Sequence, residues 1–218
     1  MTKAATLVTV LRHGEVAGPA DVLRGKVDAP LSAAGLQQMQ QIFAAISTPA
    51  FTQIVSSPLA RCRTFAESAA ATGKLPLTLH AGFEEIDFGD WEGLTPSQAQ
   101  TASFQFHFDE MELESAELFS RFQRNPEGLA PPNGEAFNLF CQRVLDAFAA
   151  CLTHAEGGHT LIVTHAGVMR VILSKVLGLT WSSAYQIAIP TAGSFQLSLL
   201  PGHTPYLLSL NRGQPCAA

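Results

Sequence analysis

The segment Thr6–Arg12 reads TLVTVLR and runs straight into His13-Gly14. Aliphatic and β-branched side chains follow one another almost without polar interruption, as in a strand buried on both faces. Strands of that kind belong to parallel sheets covered by helices. A second segment of the same character, HTLIVT at His159–Thr164, ends in the same way, in His165-Ala166-Gly167. In open sheets of this class ligands bind beyond the carboxyl ends of the strands. Both histidines are thus expected on one rim, although they lie far apart in the sequence.

The rest of the chain alternates around these two strands. Ser32 can cap a helix whose Leu36, Met39, Phe43 and Ile46 share one face, closed by Pro49. TQIVS (52–56) predicts a short strand, Pro58 opens a helix running towards Gly73, and LPLTLH (75–80) alternates like another short strand. Residues 83–93 hold acids and glycines and read as a structured loop. The break Pro131-Pro132-Asn133-Gly134 precedes a helix marked by Phe137, Phe140, Val144, Phe148 and Cys151. VMRVILSKVLGL continues as a helix after His165, and residues 194–210 supply one or two more strands. The expectation is an α/β fold of three layers, α/β/α, with a mainly parallel central sheet and helices on both faces. One domain is expected over residues 1–218. The acidic and aromatic stretch 95–129 reads as a helical insertion over the site, its Phe104, Phe106 and Phe108 serving either its own core or a flat ligand.

Composition narrows the function classes. Of 218 residues, 47% are apolar and 14% charged, enough for a sizeable core and too few charges for disorder. The formal net charge of −5 offers no general basic face, so no nucleic-acid partner is expected. No leader-like or membrane-spanning apolar run is present, so no membrane association is expected. Cys62, Cys141, Cys151 and Cys216 form no CxxC pair and read as reduced, which suits a cytoplasmic protein. No edge strand stands out as self-complementary, and a homodimer stays open.

The candidate chemistry sits at the strand ends. Glycines beside His13 and His165 allow close backbone approach to a ligand. Arg12 precedes the first histidine. Arg61 falls in the first turn of a helix beyond a third strand end; alone it would read as a solvated helix charge. Guanidinium groups grip phosphate oxygens in pairs and stay charged at any working pH. The histidines lack acidic or sulfur ligands at metal-binding spacing and no HExxH occurs, so no metal and no cofactor are expected.

Five segments resemble, in order and over nearly the whole chain, the histidine phosphatase superfamily, also called the phosphoglycerate mutase-like family. They are LRHGE (11–15), LRGKVDAPLSAAG (23–35), SSPLARCRTFAE (56–67), EEIDFGDWEG (84–93) and IVTHAGVMR (162–170). The resemblance implies that His13 is the nucleophile accepting the phosphoryl group. It implies a catalytic set of His13, Arg12, Arg61, His165 and the proton donor Glu85. Glu85 stands three residues before Phe88-Gly89, as in the family's Glu-x-x-(Phe/Tyr)-Gly pattern, which favours it over Glu84. Substrate contacts would come from Arg12, Gly14, Gly25, Arg61, His165 and Ala166. The partner would be a small phosphorylated metabolite. Phosphoryl transfer needs positioning and stabilisation of three equatorial oxygens, which two arginines and a second histidine can supply. A nucleophilic histidine also needs its other nitrogen held, and a backbone carbonyl near residues 14–18 is a candidate.

Two departures bear on the branch. Val16 stands where many members have Thr or Ser, and Pro19 where mutases tend to carry Asn. Both weaken the mutase reading, as does the absence of the extra segments typical of mutases. RHGEVAG, LRGKVDAPL, EIDFGDWEG and PNGEAFNLFCQRV together look most like the α-ribazole phosphatase branch, which acts in cobalamin assembly. A broad-specificity sugar or nucleotide phosphatase and a phosphoglycerate-type mutase are the alternatives.

Overall fold

A computed structural model describes residues 5–102, 115–153, 155, 157–200 and 202–213. Six strands form one sheet: β1 (Thr6–Arg12), β2 (Gln53–Ser56), β3 (Leu77–Leu79), β4 (His159–Thr164), β5 (Ser194–Leu199) and β6 (Tyr206–Asn211). Their spatial order is β3-β2-β4-β1-β5-β6. The pairs β1–β4, β2–β4 and β2–β3 are parallel, whereas β1–β5 and β5–β6 are antiparallel. The expected mainly parallel sheet therefore carries an antiparallel flank. The connection between β5 and β6 is too short for a crossover and permits only an antiparallel return.

Seven α-helices occur among the described residues: α1 (Ala33–Ile46), α2 (Ala60–Gly73), α3 (Pro96–Thr101), α4 (Ser115–Arg124), α5 (Phe137–Thr153), α6 (Ala166–Leu177) and α7 (Trp181–Tyr185). Side chains alternate across the two central strands, as a period of two requires. Val8, Val10 and Ile162 face a core shared with Phe140, Val144 and Phe148 of α5 and Met169 and Ile172 of α6. Leu11, Leu161 and Val163 face Met39 of α1 and Phe65 and Ala66 of α2 on the other side. Double-sided burial explains why both strands read as unbroken apolar runs.

Local chemistry sets the helix ends. Ser32 caps α1, its Oγ accepting from the Gly35 N–H at 2.9 Å. Gly14 and Gly35 lie backbone against backbone: a Cβ on Gly14 would overlap Gly35 O, and one on Gly35 would overlap Glu15 O. That packing seats the segment after His13 on the start of α1. Thr95 opens α3 with a capping box completed by Gln98. Of the insertion expected over 95–129, α3 and α4 are described and Phe104, Phe106 and Phe108 lie outside the described residues. Ala99, Leu118, Phe119 and Leu129 bury themselves around Trp91 in a third, smaller core. Helix α7, an element beyond those expected from the sequence, follows Gly178, the left-handed cap of α6, and is itself capped by Thr180.

Candidate active site

The parallel pairing of β1 with β4 aligns Arg12 with Thr164 and brings the two strand-end histidines together. The His13 N–H donates to Thr164 O at 2.9 Å, and the rings of His13 and His165 are 5.3 Å apart. His13 is 8% exposed and His165 is fully buried. His13 Nδ1–H donates to Gly14 O at 2.8 Å, which leaves Nε2 as the free, lone-pair nitrogen. His165 accepts from Arg61 Nε–H on Nδ1 at 3.2 Å and gives its Nε2–H to Ser57 Oγ at 2.9 Å.

Arg61 is fully buried, unlike a solvated helix charge. Its Nη1 donates to Val27 O at 2.8 Å and its Nη2 to Gly25 O at 2.6 Å. The loop following Arg24 is fastened from its other side by Glu92, whose carboxylate accepts from the N–H groups of Gly25 and Lys26. Gly25 has no room for a side chain there, because a Cβ would overlap Ile86 O.

Glu84 and Glu85 are separated cleanly. Glu84 pairs with Lys26. Glu85 is 8% exposed, and its Oε2 accepts from the Gly167 N–H at 3.0 Å. Gly167 is required by contact: a Cβ there would overlap Glu85 Oε1. Gly167→Ala should therefore displace the carboxyl while leaving His13 in place. With Glu85 in the proton-donor role that the resemblance implies, kcat/KM should fall by about 10- to 100-fold. Steady-state kinetics beside a thermal melt would check this, since Ala is otherwise welcome in the first turn of α6; unchanged kcat/KM would contradict it.

Arg12, His13 and Glu85 open into a cavity of about 260 Å³. Ala166, Gly167 and Arg170 of α6 and Val16, Val22, Leu23 and Arg24 of the loops line one part of it. Apart from Ile86 and Gln123, the remainder is aromatic: Phe88, Phe119, Phe122, Phe137, Phe140, Trp181 and Tyr185. Several of these meet edge to face, with Phe137 and Trp181 4.7 Å apart at 72°. Of the expected substrate contacts, Arg12 and Ala166 line the cavity. Gly14, Gly25, Arg61 and His165 do not; Arg61 donates to Gly25 O and His165 Nδ1, and Gly14 O holds the His13 ring. Val16 lines the cavity as an apolar group where a hydroxyl is common.

Arg170 and the aromatic wall went unnoticed in the sequence. The Arg170 guanidinium stacks 4.7 Å from the Tyr185 ring centroid, and its buried Nε–H has no hydrogen-bond partner. Its signal was present: Arg170 lies one helical turn after Gly167 and so shares that residue's face. Among the described residues, no three His, Cys, Asp or Glu side chains are gathered as a ligand set for a metal ion. Cys62, Cys141 and Cys151 are free thiols. Burial pushes Cys62 up to about 12, so the thiol beside His165 stays protonated and is no nucleophile.

Burial, then the cations of Arg12 and Arg61, hold His13 well below the ordinary 6.5. Burial, then Arg61, does the same for His165. Both rings are thus neutral in the native protein, as a nucleophile requires. Below pH 6.5 the unfolded chain binds protons that the native chain refuses. Stability is therefore full above that pH and falls as the pH drops towards the depressed native values. The slope is up to about 1.4 kcal/mol per pH unit for each histidine. Urea midpoints measured between about pH 7 and 5 should fall accordingly; a flat profile would contradict neutral burial.

A family model described as the histidine phosphatase superfamily (branch 1) matches residues 8–212. An adenosylcobalamin/alpha-ribazole phosphatase of Escherichia coli K12 is 29% identical over 171 residues, 78% of this chain and 78% of its own length. A probable phosphoglycerate mutase GpmB of Citrobacter koseri is 31% identical over 173 residues, 79% of this chain and 75% of its own. Among solved structures, Bacillus stearothermophilus YhfR superposes with a TM-score of 0.81 at 22% identity, over 96% of this chain and 98% of its own. A putative alpha-ribazole-5'-P phosphatase of E. coli gives 0.78 at 23%, over 97% and 99%. The two structural likenesses bear on the fold alone.

Proposed function

Because the chain belongs to branch 1 of the histidine phosphatase superfamily, we propose that it is a cytoplasmic, metal-independent phosphomonoesterase that works through a phosphohistidine at His13. Its proposed substrate is a small phosphate ester whose alcohol carries a flat, aromatic base, α-ribazole 5′-phosphate first. In the first half-reaction His13 Nε2 attacks phosphorus and the bond to the leaving oxygen breaks. Glu85, protonated at that moment, gives its proton to the departing alkoxide. In the second, water attacks the phosphohistidine, Glu85 takes up the water's proton, and the P–N bond breaks to release inorganic phosphate.

Arg12 fits the role of direct phosphate ligand. Its Nη1 is anchored on Ile189 O at 2.6 Å, and the residue lines the cavity beside His13, where a guanidinium can grip a ligand oxygen. Arg61 and His165 fit a supporting cationic and hydrogen-bonding layer behind it. The observation that carries the substrate class is the aromatic wall around the cavity. A flat base offers ring faces to such a wall, and base–aromatic contacts are worth about 1–3 kcal/mol each. A phosphoglycerate has no apolar surface to place there. The names of the two curated relatives divide between these chemistries, so the panel must include both.

Phosphate release from a panel of esters by EDTA-treated protein tests the reading. Selective turnover of α-ribazole 5′-phosphate is expected. Faster hydrolysis of several sugar phosphates would remove the aromatic substrate while keeping the chemistry. Dependence on a bisphosphate primer, with phosphate retained on carbon, would establish a mutase instead.

A further inference from the structure

We infer that Arg143 and Glu135, neither of which lines the cavity, form a clamp that positions Glu85 for proton transfer. The inference rests on the reading of Glu85 as proton donor, and it concerns how that side chain is held in place.

Arg143 projects from α5 towards the segment that leads to Glu85. Its Nη1 donates to Glu84 O at 2.9 Å, Gly82 O at 3.1 Å and Ala81 O at 3.3 Å. Its Nη2 donates to Glu85 O at 2.9 Å. Thr164 Oγ1, on the strand that ends at His165, donates to Phe83 O at 2.7 Å. The carbonyls of residues 81 to 85 are thus all committed, four of them to one guanidinium. The last of the four belongs to Glu85 itself.

The same guanidinium is aligned by Glu135. Arg143 Nε and Nη2 meet Glu135 Oε1 and Oε2 at 2.6 and 2.8 Å, a two-point pairing that fixes the plane of the fork. Glu135 also secures the far side of Glu85. Its N–H donates to Asp87 O at 3.0 Å, and its Oε2 accepts from the Asp87 N–H at 3.4 Å. Backbone on both sides of Glu85 is therefore tied to one ion pair. The helix bearing Arg143 also packs tightly on the segment: a Cβ on Gly82 would come within 2.5 Å of the Ala147 Cβ.

Glu85 needs such support because its carboxyl is held by few groups of its own. Gly167 N–H and the adjacent Ile86 N–H, at 3.2 Å, are its hydrogen-bond donors among the described residues. Both are main-chain groups, so the aim of the side chain follows the aim of its backbone. A displacement of order 1 Å is enough to damage a proton transfer.

Lysine cannot reproduce the clamp, because one ammonium lacks the planar fork. Arg143→Gln and Glu135→Gln should both shift Glu85 without entering the cavity. The discriminating readout is the leaving group. A primary alkyl phosphate needs a proton on its departing oxygen, whereas 4-nitrophenyl phosphate releases a stable phenolate. kcat/KM reports the phosphorylation step in which that proton moves. Arg143→Gln should lower kcat/KM about 10- to 100-fold for the alkyl ester and less than about threefold for 4-nitrophenyl phosphate. Adding Arg143→Gln to Glu85→Gln should cost the alkyl ester nothing further.

Equal losses on both esters would overturn the inference in favour of a purely structural clamp, and so would no loss on either. Glu85→Gln in parallel separates the two levels. If it shows no leaving-group split, the premise about Glu85 fails; if it does and the clamp variants do not, only the clamp fails. Should Arg143→Gln not fold, Glu135→Gln, which keeps the side-chain shape, gives the same reading.

Discussion

His13→Ala is expected to abolish phosphate release, by on the order of 10⁵-fold or more, while inorganic phosphate still binds. The covalent step has no substitute nucleophile near it. Cys62 is held protonated by burial, and His165 has one ring nitrogen engaged with Arg61 and the other with Ser57. Phosphate binding should survive in part because Arg12 reaches the cavity independently of the His13 ring. Isothermal titration with phosphate, beside turnover of the preferred ester, separates the two effects. Retained turnover would refute the nucleophile, and loss of binding alone would reassign His13 to recognition.

Arg61→Lys should be almost as damaging, by a different route. The guanidinium is fully buried and spans Val27 O, Gly25 O and His165 Nδ1. A lysine cannot span that set, and each buried acceptor left unpaired costs about 1–3 kcal/mol. A destabilisation of about 3–5 kcal/mol is expected, large for a single substitution. Activity should fall with it, because the loop bearing Leu23 and Arg24 and the ring of His165 lose a common anchor. Urea unfolding followed by two probes would measure the loss. A stability change within about 0.5 kcal/mol would mean that Arg61 behaves as a surface charge.

The two halves of this site were unequally visible in the sequence. Buried strands announce themselves because both faces must be apolar, so β1 and β4, and with them His13 and His165, could be placed on one rim. Only the family resemblance, through its Glu-x-x-(Phe/Tyr)-Gly pattern, separates Glu85 from Glu84 in the sequence, and the structure turns Glu85 to the cavity and Glu84 to Lys26. Arg61 was harder. A cation in the first turn of a helix ordinarily points to water, and apart from His165 its partners here are main-chain carbonyls, which carry no residue-type signature. The same blindness applies to Arg143, whose role is written in the carbonyls of residues 81, 82, 84 and 85.

The aromatic wall was not legible for another reason. Density draws attention to the run containing Phe104, Phe106 and Phe108, whereas aromatics from four separate segments converge on the cavity. Convergence of residues distant in sequence is a tertiary property. The antiparallel flank of the sheet was likewise implicit only in the short β5–β6 connection, which does not state which edge it joins.

The most direct test of the central claim is a rapid acid-free quench of the protein with a ³²P-labelled ester, followed by peptide mapping. Label should accumulate transiently on the peptide containing His13, stable to base and lost in mild acid as a phosphoramidate is, and should be absent from His13→Ala. Turnover of the ester with no protein-bound label, or label on any other residue, would contradict a phosphohistidine at His13.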